Sequence, residues 1–190
     1  MKKKDLLKIV NNYGIIPQVE YWSSELWELS DAISNHYYDE YTYFKEVDKQ
    51  LKEHIAEEIA DNKVMIYQIV EYYYERLEYQ EDMEPYEHEV SDSIEELEDI
   101  RDYIKDFQKH ACRLVCEVAR AEERDQDYIS EYRYLDIIEC VEEVLSRLDV
   151  IEHYYEIKER DINRIMKYKI ERQISRIEGK REGIKTINLA

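Results

Sequence analysis

The sequence predicts an all-α protein, and three observations carry that prediction. The 190-residue chain holds only three glycines and two prolines, too few for the tight turns that a strand-rich fold requires. Apolar residues recur at alternating steps of three and four along most of its length, the period of a helix with one buried face. Turn and capping residues fall where those stripes begin and end. A chain of this length buries enough apolar surface to need no disulfide or structural metal, as one domain or as two small halves packed together.

A first helix is expected over 4–12, because Asn12-Tyr13-Gly14 is turn chemistry. A second follows over 17–36, where Pro17 suits a first helical position. Val19, Trp22, Leu26, Leu29 and Ile33 form its apolar stripe, with Glu25 and Glu28 beside it. After Tyr37-Tyr38-Asp39-Glu40 a long helix should run to about residue 79, with Leu51, Ile55, Ile59, Ile66 and Ile69 inward and Glu58 and Asp61 flanking them.

Residues 80–90 carry Pro85 and many acids and read as a linker between a first half, 1–79, and a second, 91–184, with a short tail at 185–190. Ser93-Ile94-Glu95-Glu96 has capping-box spacing. From there Ile94, Leu97, Ile100, Ile104, Phe107, Ala111, Leu114 and Val118 continue a stripe to about residue 123. A fifth helix is expected over 130–155 through Ile137, Val141, Val144, Leu148 and Ile151. A sixth, over 161–178, follows Ile162, Ile165, Ile170, Ile174 and Ile177, with Gly179 and Gly183 suited to ending it.

A formal charge of −19, uninterrupted by any basic stripe of helical length, argues against direct recognition of DNA or RNA. Acidic groups favour divalent cations instead. The three cysteines fit free thiols in a reducing compartment rather than a disulfide framework. No window reads as a membrane span or a signal peptide, so a cytoplasmic location is expected. Gly-rich phosphate loops and nucleophile elbows are absent and the histidines are scattered, which sets aside P-loop and serine-hydrolase chemistry.

The chemistry sits in two carboxylate pairs. Glu25 and Glu28 are three residues apart on one helix and Glu58 and Asp61 on another, so each pair projects from one helical face. If the two faces met across a bundle, four converging carboxylates would repel one another unless a cation neutralised them. All-oxygen ligation is what Mg²⁺ or Mn²⁺ prefers, and such an ion suits a polyphosphate substrate attacked by a metal-activated water. Spacing alone is not specific, because in a chain this acidic an acid-x-x-acid pair arises by chance about once per 16 positions.

Specificity comes from the surrounding residues. Gln18, Glu25-Leu26-Trp27-Glu28-Leu29, Ala32-Ile33 and Glu57-Glu58-Ile59-Ala60-Asp61 together resemble the paired signatures of the MazG-like nucleoside triphosphate pyrophosphohydrolases, relatives of the dimeric deoxyuridine triphosphatases. The resemblance covers about residues 10–75 and extends to 160–178. It implies an antiparallel helical bundle in which Glu25, Glu28, Glu58 and Asp61 bind Mg²⁺ (or Mn²⁺). The implied reaction cleaves a nucleoside triphosphate to a monophosphate and pyrophosphate, with Glu57 a weaker candidate for accepting the proton of the attacking water. Residues 165–172 are similar to the basic C-terminal helix of short members, which gives Lys167, Lys169 and Arg172 as phosphate contacts; a solvated basic face is the alternative. This chain departs from the family pattern at Tyr21, where a basic residue is common, and at Ser24, where a second acid is usual, leaving the substrate open.

The family pattern is complete in about one hundred residues, so the second half needs an explanation, and a degenerate repeat is one. Aligning residues 114–121 with 25–32 keeps an acid at Glu117 but puts Leu114 at the first ligand position. Glu142-Glu143-Val144-Leu145-Ser146 likewise falls on Glu57 to Asp61 with Ser146 closing it, so no second complete metal site is expected. Such a half would act as an internal pseudo-subunit, while a true homodimer is the other arrangement. Two rival functions stand beside hydrolysis: a nucleotide-sequestering protein without turnover, and an acidic helical interaction module whose carboxylates are surface charge. Cys112 and Cys116, near His110, read as structural thiols, and the tyrosine clusters as core-edge residues or a stacking surface.

Overall fold

The computed structural model describes residues 2–39, 45–77, 83–88, 100–124 and 128–179, with only the backbone of 35–39 and 45–48. Six α-helices make up nearly all of these: α1 Lys3–Tyr13, α2 Ile15–Asp39, α3 Lys45–Glu75, α4 Ile100–Arg124, α5 Glu131–Tyr154 and α6 Glu159–Ile177. Among the described residues no strand forms beyond one isolated bridge between Leu77 and Ile129. No helix among the described residues is long and apolar enough to cross a membrane.

Local chemistry sets the helix ends. Gly14 closes α1 at φ +86°, a left-handed backbone that a side chain would strain, and its N–H reaches the Val10 carbonyl at 2.7 Å. Helix α2 starts two residues earlier than expected, at Ile15. That puts Pro17 in the first turn, where a missing N–H costs no helical hydrogen bond. Ser130 caps α5 by accepting from the Arg133 N–H, and Gly179 at φ +66° follows α6. The Ser93 cap and Gly183 lie outside the described residues, as do parts of the 80–90 segment.

Pairings along the helices give their directions. Trp22 meets Asn62 while Glu25 meets Glu58 and Asp61, so α2 and α3 run antiparallel. Asp106 pairs with Arg147, Arg113 with Glu139 and Glu117 with Arg133, which makes α4 and α5 a second antiparallel hairpin. Helix α3, about 46 Å long at 1.5 Å per residue, is the hub: α1, α2, α5 and α6 all pack along it. Most of the predicted stripe residues are core, with Trp22, Leu29, Ile55, Ile59, Ile66, Phe107, Leu114, Ile137, Val144 and Leu148 all fully buried, whereas Ile174 and Ile177 are partly buried and Ile94 and Leu97 lie outside the described residues. Leu51 is half-buried.

Residues 83–88, expected as linker, lie against the helices. Tyr74 donates to the Met83 carbonyl, and His88 inserts between Glu142 and Asp149 of α5. Cys112 and Cys116 are exposed rather than packed, because the buried face of α4 runs through Ala111, Leu114 and Val118. Tyr73 is fully buried and hydrogen-bonds the Val118 carbonyl and Glu122, while Arg76 stacks 4.9 Å from the centre of the Tyr72 ring. That tyrosine cluster is a structural seam between α3 and α4. The Tyr37 and Tyr38 side chains fall outside what is described.

Candidate metal centre

Three of the four predicted carboxylates converge. Glu25 from α2 and Glu58 and Asp61 from α3 each offer an oxygen within 4.8 Å of the others. Glu25 and Glu58 are buried, at 4% and 6% exposure. Glu28, one turn from Glu25, is exposed on the wall of the adjoining cleft. It is close enough that its charge raises the proton affinity of all three clustered acids.

Basic groups sit directly against the cluster. Lys169 of α6 pairs with Asp61, and His54 Nδ1 lies 3.3 Å from Glu58 Oε1. Glu58 Oε2 is buried with no hydrogen-bond partner. Burial first, and the Asp61 charge second, push the Glu58 carboxyl up to about 7. Burial likewise raises Glu25 and Asp61, even though Tyr21 bonds to the first and Lys169 opposes the shift in the second. Tyr21 itself is pushed up to about 12, mainly because its hydroxyl bonds to Glu25.

A cleft of about 170 Å³ opens beside the cluster. Tyr21, Glu25, Glu28, Asp61, Val64 and Met65 form one side, and Lys169, Arg172, Gln173 and Arg176 the other. The four α6 residues repeat at i, i+3, i+4 and i+7, a single helical face. Gln173 Oε1 is buried there without a partner. Of the predicted phosphate contacts, Lys169 and Arg172 line the cleft, whereas Lys167 is solvent-exposed and faces Glu171 at 4.0 Å. Glu57 is exposed one turn before Asp61 and lies outside the cleft lining.

Sequence reasoning missed Arg176, Gln173 and Asn62. The first two belong to the helical face of Lys169 and were legible by extending it one turn. Asn62 is fully buried directly after Asp61. It joins Trp22 to the backbone carbonyls of both Glu25 and Glu58, and no periodicity in one helix marks such a role.

These residues fit a hard divalent cation. The donors are all carboxylate oxygens, they converge from two helices, and one buried oxygen is left unpartnered. The aligned positions of the second half differ: Leu114 is core, Glu117 pairs with Arg120 and Arg133, and Glu143 with Arg147 and His110. Compared with protein-family models, curated proteins and solved structures, the chain matches none.

Proposed function

We propose that the chain is a Mg²⁺-dependent nucleoside triphosphate pyrophosphohydrolase of MazG-like type. The observation that carries this reading is the trio Glu25, Glu58 and Asp61, whose oxygens lie within 4.8 Å of one another with one buried oxygen unpartnered. Three carboxylates held together where burial raises the proton affinity of each favour a divalent cation. The trio coincides with the motifs that carry the family resemblance.

In this reading Glu25, Glu58 and Asp61 hold the ion, with Glu28 at the rim. Bound Mg²⁺ supplies charge against phosphoryl oxygens and lowers the pKa of a water ligand. Lys169, Arg172 and Arg176 present cations from the facing wall of the cleft, a setting suited to the remaining phosphate oxygens. Lys167 takes no part, since its side chain is outside the cleft. Glu57 likewise lies outside the cleft lining, so although its charge acts on Asp61 it is not assigned the proton of the attacking water.

The test is Mg²⁺-dependent pyrophosphate release across ribo- and deoxyribonucleoside triphosphates, beside a Glu58→Gln variant. Release from one or more nucleotides that the substitution abolishes is expected, and it names the substrate. No release from any nucleotide contradicts turnover, and tight nucleotide binding in that case identifies a sequestering protein.

A further inference from the structure

Like-charged carboxylates push apart, so their spacing before a cation arrives has to be imposed by the surrounding protein. At this site a neutral amide cross-links the two helices that carry the acids. Asn62 Oδ1 accepts from Trp22 Nε1 at 2.8 Å. Its Nδ2 donates to the Glu58 carbonyl at 2.9 Å and to the Glu25 carbonyl at 3.3 Å.

These three bonds leave the amide one orientation. An indole N–H only donates and a carbonyl only accepts, so flipping the group would set donor against donor and acceptor against acceptors. No other residue type reproduces the set. Aspartate would turn a negative oxygen toward two carbonyls, leucine would offer no donor, and glutamine would overshoot by a methylene. Asn62 and Trp22 are both fully buried, so solvent does not replace a lost bond without rearrangement.

The carbonyls it grips belong to the residues whose side chains supply two of the three clustered acids. An apolar residue could hold α2 and α3 in contact by volume alone. It would not fix their sliding or rotation, and small errors in either separate ligand atoms that must converge within tenths of an ångström.

We propose that Asn62 is a positioning residue: it pins the ligand turns of α2 and α3 at the spacing a divalent cation requires and ties that spacing to the Trp22 indole. The proposal rests on the metal reading given above.

The test uses the full chain with Mn²⁺ as probe, measuring free Mn²⁺ by electron paramagnetic resonance together with the melting temperature. Asn62→Leu is expected to weaken Mn²⁺ binding roughly tenfold or more, the scale seen when outer-shell partners of a metal site are removed. Trp22→Phe, which deletes only the indole donor, should weaken it by a smaller factor. Phe107→Leu, in the fully buried core of α4, should lower the melting temperature and leave Mn²⁺ affinity unchanged. A folded Asn62→Leu chain that binds within about twofold of wild type overturns the proposal. If that variant does not fold, unchanged affinity in Trp22→Phe overturns it. Absence of Mn²⁺ binding by the wild-type chain overturns the metal reading and the proposal with it, whereas normal wild-type binding with unaffected variants overturns the proposal alone.

Discussion

Asp61 and Lys63 stand two residues apart on α3, about 200° around the helix, and each enters a buried charge cluster of different design. On the Lys63 side the acids are supplied with cations. Lys63 Nζ lies 2.8 Å from Asp149 and 2.6 Å from Glu152. Both ring nitrogens of His88 face carboxylates, Glu142 at 3.1 Å and Asp149 at 2.7 Å. On the Asp61 side three carboxylates converge on one another, with Lys169 against Asp61, His54 against Glu58, and Arg172 and Arg176 on the facing wall of the cleft.

The proton affinities follow the supply. Burial alone would raise Asp149, but its two cation partners, His88 and Lys63, hold it below the usual carboxylate range. Glu152, with Lys63 alone, is raised by burial. Glu25, Glu58 and Asp61 are all raised. Asp149, paired with two cations, supports the fold, whereas Glu152 and the acids of the trio each carry a penalty from burial, which in the proposed reading a bound cation relieves for the trio.

The largest effect should come from breaking the Lys63 side. Lys63→Met strands Glu152 in the interior, leaves Asp149 with His88 alone, and should cost about 3–5 kcal/mol of unfolding free energy in urea titration at pH 7. A loss of under about 1 kcal/mol would show that side to be solvated rather than buried.

Filling the Asp61 side comes next. Mg²⁺ at a hundredfold excess over its dissociation constant should stabilise the chain by about 2.7 kcal/mol. In thermal melts this gain should be greater at pH 8 than at pH 5, where protons compete for the same oxygens, and Glu58→Gln should abolish it.

Without divalent ions, the acids of the trio set the pH profile. Glu58 titrates at about 7 in the folded chain against an ordinary 4.5, so the folded state holds its proton more tightly than the unfolded one. Its contribution is fully present below pH 4.5 and is lost as pH rises to about 7. Glu58→Gln should remove that decline and leave the variant more stable than wild type at pH 8 in chelator, by at most the roughly 3 kcal/mol that a shift of this size represents. Urea titrations at the two ends of the window measure it.

The smallest effect belongs to His88, which works in a different window. Asp149 and Glu142 raise it above 6.5 despite burial, so its stabilisation is complete below pH 6.5 and is lost as pH passes its raised value. His88→Gln should cost about 1.5 kcal/mol at pH 6 and less at pH 9. An equal cost at both would mean that the imidazolium is not what holds residues 83–88.

All six helices were legible because their buried faces repeat on the helical period, and Gly14, Ser130 and Gly179 mark ends by local chemistry. The three clustered acids were legible for the same reason, since i, i+3 spacing puts Glu58 and Asp61 on one face. Lys167 and Lys169 could have been separated on paper: two residues apart, they point to different sides of α6, and only Lys169 shares a face with Arg172, Gln173 and Arg176. Glu28 ends at the rim because the buried edge of α2 passes through Glu25. Asn62 and His88 were not legible. Each depends on partners from another segment, 40 residues away for Trp22 and 61 for Asp149, and His88 lies in a stretch whose composition resembles a solvated linker.

The central claim is that the acids beside Asp61 form a divalent-cation site and those beside Lys63 do not. Mn²⁺ titration of the wild-type chain, Glu58→Gln and Glu152→Gln, followed by electron paramagnetic resonance, tests it most directly. The account predicts Mn²⁺ bound by the wild type and displaced by Mg²⁺, lost in Glu58→Gln and retained in folded Glu152→Gln. Binding that survives Glu58→Gln, or no binding by the wild type, would contradict it.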